Sequence, residues 1–206
     1  METDYFWTLI ADCRRQGLSG DGRDTRLREA LLRLPPPEVI RFQACLEYVT
    51  GEAYSWNLWA AADRIFGGWC SDDTFCWFQR WMVGLGRPVF EAAVADPDVL
   101  AYAPEVLRLS GRPREAWAAA DRPQWESLAH LAPRAYERLT APFTDFGDAF
   151  HAAARDLLEA ELEAAGATGS VRRAAAPRGR RWSALDEAES RRRLPRLTAM
   201  FPLTPR

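Results

Sequence analysis

The segment GGWCSDDTFCWF, residues 67–78, gathers residue types that often carry chemistry. Asp72 and Asp73, with Asp63 shortly before them, could form a carboxylate cluster for acid–base work or for a hard cation. The alternative is structural, because a carboxylate at a helix start accepts backbone N–H groups and meets the positive end of the helix dipole. Ser71 is an equally good cap. We favour capping, since no matching His or Glu motif lies nearby.

Two arginines, Arg80 and Arg87, follow this segment among mostly apolar and aromatic neighbours. An arginine in such surroundings needs a carboxylate partner. The pair can be purely structural, or the arginine can bind an anion in a pocket. The candidate partners are Asp63, Asp72, Asp96 and Asp98.

The stretch from Tyr54 to Trp81 contains nine aromatic residues. On the helix predicted after Ser71, Phe75 and Phe78 lie on one side and Trp77 on another. This helix is therefore either buried on both sides or lines a pocket for a flat or cationic ligand. The candidate pocket residues are Asp63, Asp72, Asp73, Arg80, Arg87, Trp56, Trp59, Trp77 and Trp81.

The composition predicts a globular protein that does not enter a membrane. Hydrophobic residues make up 48% of the 206, yet no run approaches the length of a membrane span. The first residues, METDYFWTLIADCRRQG, carry acids where a secretory signal carries basic residues, so we expect a cytoplasmic location. The four cysteines match neither a disulfide framework nor a zinc signature. We therefore expect free, mostly buried thiols and neither a metal nor another cofactor.

The end of the chain differs in charge from the rest. Residues 171–206 hold ten arginines and three acids, although the whole chain carries a net charge of −2. The stretch VRRAAAPRGRRW could contact phosphates while Trp182 stacks on a base. We favour a solvated linker that folds back on the acidic body. The arginines concerned are Arg172, Arg173, Arg178, Arg180 and Arg181.

Helical periodicity dominates the chain and predicts an all-α fold, a single irregular multi-helix domain with a loosely tethered C-terminal segment. We expect a loop over residues 17–24, helical structure over residues 113–123, and the longest helix over residues 144–167. Pro133 should kink or split its helix.

Three parts follow from this pattern. Residues 1–166 form the helical domain, residues 167–182 an Arg-rich flexible linker, and residues 183–206 a segment that docks on the helical domain.

The run that begins at Trp56 and ends near Leu100 resembles the core of the bacterial DUF4240 family, which is common in actinomycetes. The family pattern contains W-x-L-W-x-A-A, then G-G-x-S-D-D-x-F-x-x-F-R-x-W-L-I-x-x-G-R and P-D-x-L. The segments TDYFWTLI and LPRLTAMF are also similar, so the resemblance spans most of the chain. The matching residues of the core are Trp56, Leu58, Trp59, Gly67, Gly68, Ser71, Asp72, Asp73, Phe75, Phe78, Trp81, Gly86, Arg87, Pro97, Asp98 and Leu100.

The family has no assigned function, so the resemblance implies no reaction. We expect a binding or regulatory module with an aromatic-lined pocket, whose partner is an unknown small molecule or protein. A second hypothesis is an enzyme that uses the aspartates with Arg87 on a small anionic or metal-bound substrate. The third, which we favour less, is a nucleic-acid-associated accessory protein. Relatives that look fused to WGR-type modules imply it, but this chain has no W-G-R tripeptide.

Overall fold

The computed structural model of the chain describes residues 3–15, 20–140, 146–166 and 176–203. Their regular structure consists of α-helices and short 3-10 helices, which confirms the all-α class. The α-helices are α1 (Asp4–Arg15), α2 (Asp21–Leu31), α3 (Pro36–Glu52), α4 (Trp56–Ile65), α5 (Asp72–Gly84), α6 (Arg87–Ala95), α7 (Pro104–Leu107), α8 (Leu128–Thr140), α9 (Phe146–Ala164), α10 (Glu187–Arg193) and α11 (Pro195–Met200).

The chain forms two compact units, and the first comprises Met1–Gly51 and Glu126–Ala175. It contains α1, α2, α3, α8 and α9. Helix α1 buries one apolar stripe, as its 3.6-residue periodicity predicts. Residues of this stripe and of α2 and α3 that are almost completely buried include Phe6, Ile10, Leu27, Leu31, Val39 and Phe42.

Helix α9 is the longest helix among the described residues, as its extended amphipathic pattern predicts. Its buried residues Ala154 and Leu158 pack against Ala44 of α3. An ion pair between Arg41 and Glu161, at 3.2 Å, lies at the edge of this contact. Pro133 lies inside α8 without splitting it into two helices.

The second unit comprises Glu52–Trp125 and Ala176–Arg206. It contains α4 to α7, α10, α11 and the 3-10 helix Pro97–Tyr102. Helix α5 contributes buried residues on several sides, which favours the first of the two alternatives, a helix buried on both sides. These residues are Phe75, Phe78, Gln79, Trp81, Met82 and Val83.

Two sequence expectations about secondary structure are wrong. Helix α2 begins at Asp21, within the expected loop, and its acidic first turn suits the positive end of the helix dipole. Residues 113–123 form only two short 3-10 turns, Arg114–Ala116 and Ala119–Asp121. In this segment the indole N–H of Trp117 donates to the carbonyl of Arg112 at 3.2 Å. Such side-chain bonds to the backbone compete with a regular helix.

Two buried charged side chains fasten α10 and α11 within the second unit. The Arg64 side chain is completely buried and donates to the carbonyl of Ala184 (3.1 Å), the carboxylate of Glu187 (2.6 Å) and the carbonyl of Thr198 (3.4 Å). These bonds offset part of the cost of burying a guanidinium, whose buried Nε has no hydrogen-bond partner within the described residues.

Asp98 is the second of these charges, with 1% of its surface exposed. Its Oδ1 accepts the backbone N–H groups of Arg196 (3.0 Å) and Leu197 (2.9 Å), at the start of α11. The Arg196 guanidinium donates to Oδ2 at 3.1 Å. The described part of the C-terminal segment is therefore bonded to residues on both α4 and the 3-10 helix Pro97–Tyr102.

The expected linker, residues 167–182, lies partly outside the described residues, which resume at Ala176. The division at residues 166 and 182 stays a prediction. Within the described ranges, no helix combines the length and the apolar character needed to cross a bilayer.

Candidate functional site

Helix α4 presents an aromatic and acidic face. Its start is set by Ser55, whose Oγ accepts the backbone N–H of Leu58 at 3.2 Å, a regular N-cap. Trp56, Trp59 and Asp63 follow at spacings of three and four residues, so they lie on one face of the helix. All three are partly exposed, whereas Leu58 on the other side is buried.

Helix α5 begins with a cap from Ser71, whose Oγ accepts the backbone N–H of Thr74 at 3.2 Å. Asp72 and Asp73 occupy the exposed first turn. Their charge there is favourable because it faces the positive end of the helix dipole. The cap is thus the serine, and the paired aspartates contribute through charge at the same helix end.

Five rings from α4 and α5 form a continuous series, which we name the aromatic stack. Trp56 and Trp59 have ring centres 5.5 Å apart, and Trp59 stacks on Phe75 at 4.4 Å with 24° between the ring planes. Phe75 and Phe78 follow at 6.3 Å, and Phe78 and Trp81 at 5.4 Å. Offset and tilted contacts of this kind add to the stabilisation from burial.

The two ends of the aromatic stack differ in exposure. Phe75 and Phe78 are completely buried and Trp81 is 6% exposed, whereas Trp56 and Trp59 are only half-buried. Trp77 is half-buried on α5 and its carbonyl accepts the backbone N–H of Trp125 at 3.0 Å. Only the α4 end of the stack therefore offers ring surface to a ligand.

Asp63 lies one turn beyond Trp59 on the same face. Its Oδ1 accepts the backbone N–H of Cys70 at 2.8 Å, so the side chain closes the loop between α4 and α5. Burial raises the pKa of Asp63, and the bonds from Cys70 and the positive charge of Arg181 oppose that rise. Desolvation is the largest of these effects.

The described residues 176–182, which we name the basic segment, lie along the start of α4. The backbone N–H of Arg178 donates to the carbonyl of Tyr54, and its carbonyl accepts from Trp56, both at 2.9 Å. The Arg181 guanidinium lies 4.9 Å from the centre of the Trp56 ring. Trp182 donates its indole N–H to Asn57 Oδ1 at 2.9 Å. The side chains of Arg181 and Trp182 thus contact α4 of the protein itself.

The two candidate arginines lie elsewhere on unit two. Arg87, the exposed first residue of α6, forms an ion pair with Glu91 at 2.7 Å, a partner that the sequence did not indicate. Arg80 is half-buried on α5. The candidate Asp98 pairs with Arg196, and Asp96 accepts the backbone N–H of Asp98 at 3.1 Å.

The cysteines are free in the structure, as expected. Cys13, Cys45 and Cys70 are buried, and Cys76 is partly exposed. Burial raises the pKa of Cys45 to about 11 and also raises that of Cys70, where the Asp63 carboxylate adds to the effect. A thiol with a raised pKa is a poor nucleophile at neutral pH. These cysteines are consistent with a structural role.

Within the described ranges, no group of three or more His, Cys, Asp or Glu side chains could hold a metal ion. The residues that the structure joins are Trp56, Trp59 and Trp81, through the aromatic stack, with Asp63 on the face of the first two. Sequence reasoning missed Arg181 as a neighbour of Trp56, because the two are far apart in the chain. Assignment of the candidate residues to a pocket stays a prediction.

Fold and site together define an all-α protein with an aromatic stack that is half-exposed at one end. The chain belongs to the DUF4240 family, described as a protein of unknown function, whose family model matches residues 1–138. This confirms the family suggested by the core motifs, whereas the similarity of LPRLTAMF, residues 194–201, lies outside the matched residues and stays a prediction. No curated protein and no solved structure matches the chain. The basic segment, α10 and α11 lie beyond the matched residues.

Proposed function

We propose that the protein is a binding module that recognises a cationic group at the half-exposed end of the aromatic stack. The observation that carries this proposal is the guanidinium of Arg181, 4.9 Å from the centre of the Trp56 ring. A cation over an indole face is attracted by the negative potential of the ring, more strongly for Trp than for Tyr or Phe. The chain's own side chain therefore marks the position that a cationic ligand group would take.

Two neighbours of Trp56 support the same ligand chemistry. Trp59 extends the aromatic surface, and its ring is held in place by Phe75 behind it. Asp63 adds a carboxylate to the face. Burial raises its pKa, and the positive charge of Arg181 opposes that rise. A positively charged group beside these three residues would contact the rings of Trp56 and Trp59 and the negative charge of Asp63.

The ligand class is a small molecule or a protein segment that carries a guanidinium or an alkylated ammonium group. We also propose a cytoplasmic location for this activity. The enzyme hypothesis has weaker support, because Arg87 pairs with Glu91 and the first-turn aspartates are exposed at a helix start. The nucleic-acid hypothesis also has weaker support, because Arg181 and Trp182 contact α4 residues.

The test is a titration of the whole chain with N-acetyl-arginine amide, followed through the indole N–H resonances in NMR spectra. The indole resonance of Trp56 should shift in a saturable way, with a dissociation constant in the millimolar range. The variant Trp56→Ala should lose this binding. Trp69→Ala, which removes an exposed tryptophan from the loop between α4 and α5, is the matched control and should keep it.

Binding that survives Trp56→Ala would contradict the proposal, as would shifts that never saturate. N-acetyl-glutamine amide, which has a similar length and no charge, should not bind. Equal binding of this neutral compound would show that the aromatic surface does not select for charge.

A further inference from the structure

The loop between α4 and α5 exposes a large indole. Trp69 has 69% of its surface accessible, and within the described residues its side chain makes no ring, cation or hydrogen-bonding contact. Tryptophan rarely stays this exposed in a folded chain, and at interfaces it is among the residues whose truncation costs the most binding energy. Trp69 therefore requires an explanation outside the core of its unit.

The backbone holds Trp69 in a fixed position. Gly68, on one side, donates its N–H to the carbonyl of Asp63 at 2.7 Å, and Cys70, on the other side, donates to Asp63 Oδ1 at 2.8 Å. Gly68 has a φ of 110°, a conformation that side chains disfavour. A ring presented from an anchored backbone loses little conformational entropy when a partner binds.

Two leucines from the C-terminal segment extend this apolar surface. A Cβ added at Gly68 would lie 3.0 Å from Leu185 Cδ2 and 3.5 Å from Leu203 Cδ1, so both side chains lie directly against the loop. Leu185 is itself 65% exposed. We name Gly68, Trp69, Leu185 and Leu203 the Trp69 surface.

The charged residues next to the Trp69 surface are predominantly acidic. Asp72 and Asp73 follow Trp69 in the exposed first turn of α5, and the exposed Asp186 follows Leu185. Within the described residues, Asp72 and Asp73 form no ion pair. One basic side chain also lies at the loop: the Arg114 guanidinium donates to the carbonyl of Phe66 at 3.4 Å and lies 5.2 Å from the centre of the Phe66 ring. An apolar surface with such a rim is complementary to a partner that combines apolar and basic side chains.

We propose that the Trp69 surface docks a peptide segment of a partner protein in which an apolar side chain is flanked by arginine or lysine. The apolar side chain packs on Trp69 and Leu185, and the basic residues face Asp72 and Asp73. This surface uses Trp69, Leu185 and Leu203 and not the Trp56 ring, so the inference goes beyond the proposed cation-binding function.

A library of random twelve-residue peptides displayed on phage tests this inference. The library is selected on the full chain after depletion on Trp69→Ala, and the most enriched peptide is synthesised for affinity measurements. Enriched sequences should place basic residues beside an apolar one. Trp69→Ala should weaken binding by about 30-fold or more, the effect typical of an interface hot spot.

Two further variants separate the apolar and the charged contributions. The double variant Asp72→Asn with Asp73→Asn should weaken binding by about 3- to 10-fold and reduce its dependence on salt. Leu107→Ala removes another exposed apolar side chain, 53% accessible, and should leave the affinity unchanged. Because Trp69, Asp72 and Asp73 are exposed, these variants should keep the circular dichroism spectrum of the parent.

Several outcomes would overturn the inference. These are the absence of peptides that prefer the parent chain to Trp69→Ala, enrichment of acidic peptides, and an affinity that the aspartate variants leave unchanged. Sedimentation gives a further outcome: self-association that Trp69→Ala abolishes would assign the surface to a second copy of this chain. Failure here leaves the Trp56 proposal intact, since N-acetyl-arginine amide probes that site independently.

Discussion

The two ends of the aromatic stack are built from the same residue types but differ in their surroundings. At the α5 end, Phe78 is completely buried and Trp81 is 6% exposed. At the α4 end, Trp56 and Trp59 are half-buried, and the guanidinium of Arg181 lies over Trp56. A high density of aromatic residues in the sequence therefore occurs both in a core and at a surface. Only the exposure of each ring shows whether that ring can stabilise the core or contact a ligand.

The largest expected effect is at the buried end. Phe78→Ala should lower the free energy of unfolding by about 3–5 kcal/mol, because it removes buried ring surface and leaves a cavity between α4 and α5. Urea denaturation followed by circular dichroism measures this change. Phe78→Leu, which fills most of the space, is the control and should cost clearly less. A loss below about 1 kcal/mol for Phe78→Ala would remove the distinction between the two ends.

A smaller effect is expected at Arg64, the buried arginine of α4. Arg64→Ala should cost about 2–3 kcal/mol, since the carbonyls of Ala184 and Thr198 lose their donor and a buried space opens. The exposed arginine of the ion pair with Glu91, Arg87→Ala, is the matched control and should change stability by less than about 0.5 kcal/mol. Equal costs for both variants in urea denaturation would contradict the anchoring role of Arg64.

The smallest expected effect concerns the pH dependence of Asp63. Burial raises the pKa of this carboxyl above its usual value of 3.8, so the folded chain keeps the proton to a higher pH than the unfolded chain. The resulting stabilisation is complete below pH 3.8 and disappears as the pH rises through the pKa of the folded state.

The variant Asp63→Asn should lack this contribution and keep an acceptor for the Cys70 N–H. The free energy of unfolding of the parent relative to Asp63→Asn should therefore fall as the pH rises from about 3.5 towards 7. Denaturation curves of both proteins across that range give the comparison. A difference that stays constant with pH would show that the carboxyl titrates normally.

Most of the helical fold could be predicted from local sequence. The 3.6-residue periodicity of α1, α5 and α9 is strong, and Ser55 and Ser71 occupy the cap positions that their neighbours indicate. The segment 113–123 was harder, because its alanines favour a helix while bonds such as that from Trp117 to the Arg112 carbonyl form only in the folded chain. Local propensity yields to such contacts.

The contacts that define the candidate site depend on distant parts of the sequence. Arg64 forms an ion pair with Glu187, and Asp98 forms one with Arg196. No local sequence pattern predicts either pair. In the same way, the sequence offered Arg181 either as a phosphate contact or, the favoured alternative, as part of a linker that folds back on the body, and it did not indicate Trp56 as its neighbour. The identity of the aromatic residues could be read from the sequence. Their exposure, which decides their function, required the tertiary structure.

The proposed cation site at Trp56 is covered by the chain's own Arg181 guanidinium. The direct measurement is the affinity of N-acetyl-arginine amide for Arg181→Ala, compared with Arg114→Ala, which removes the cation over Phe66 instead. Arg181→Ala removes the guanidinium that competes with the ligand at Trp56, so its affinity should rise by about 2- to 5-fold, the equivalent of an exposed cation–π contact. Arg114→Ala should bind the compound with the affinity of the parent. Unchanged or weaker binding by Arg181→Ala would contradict the claim.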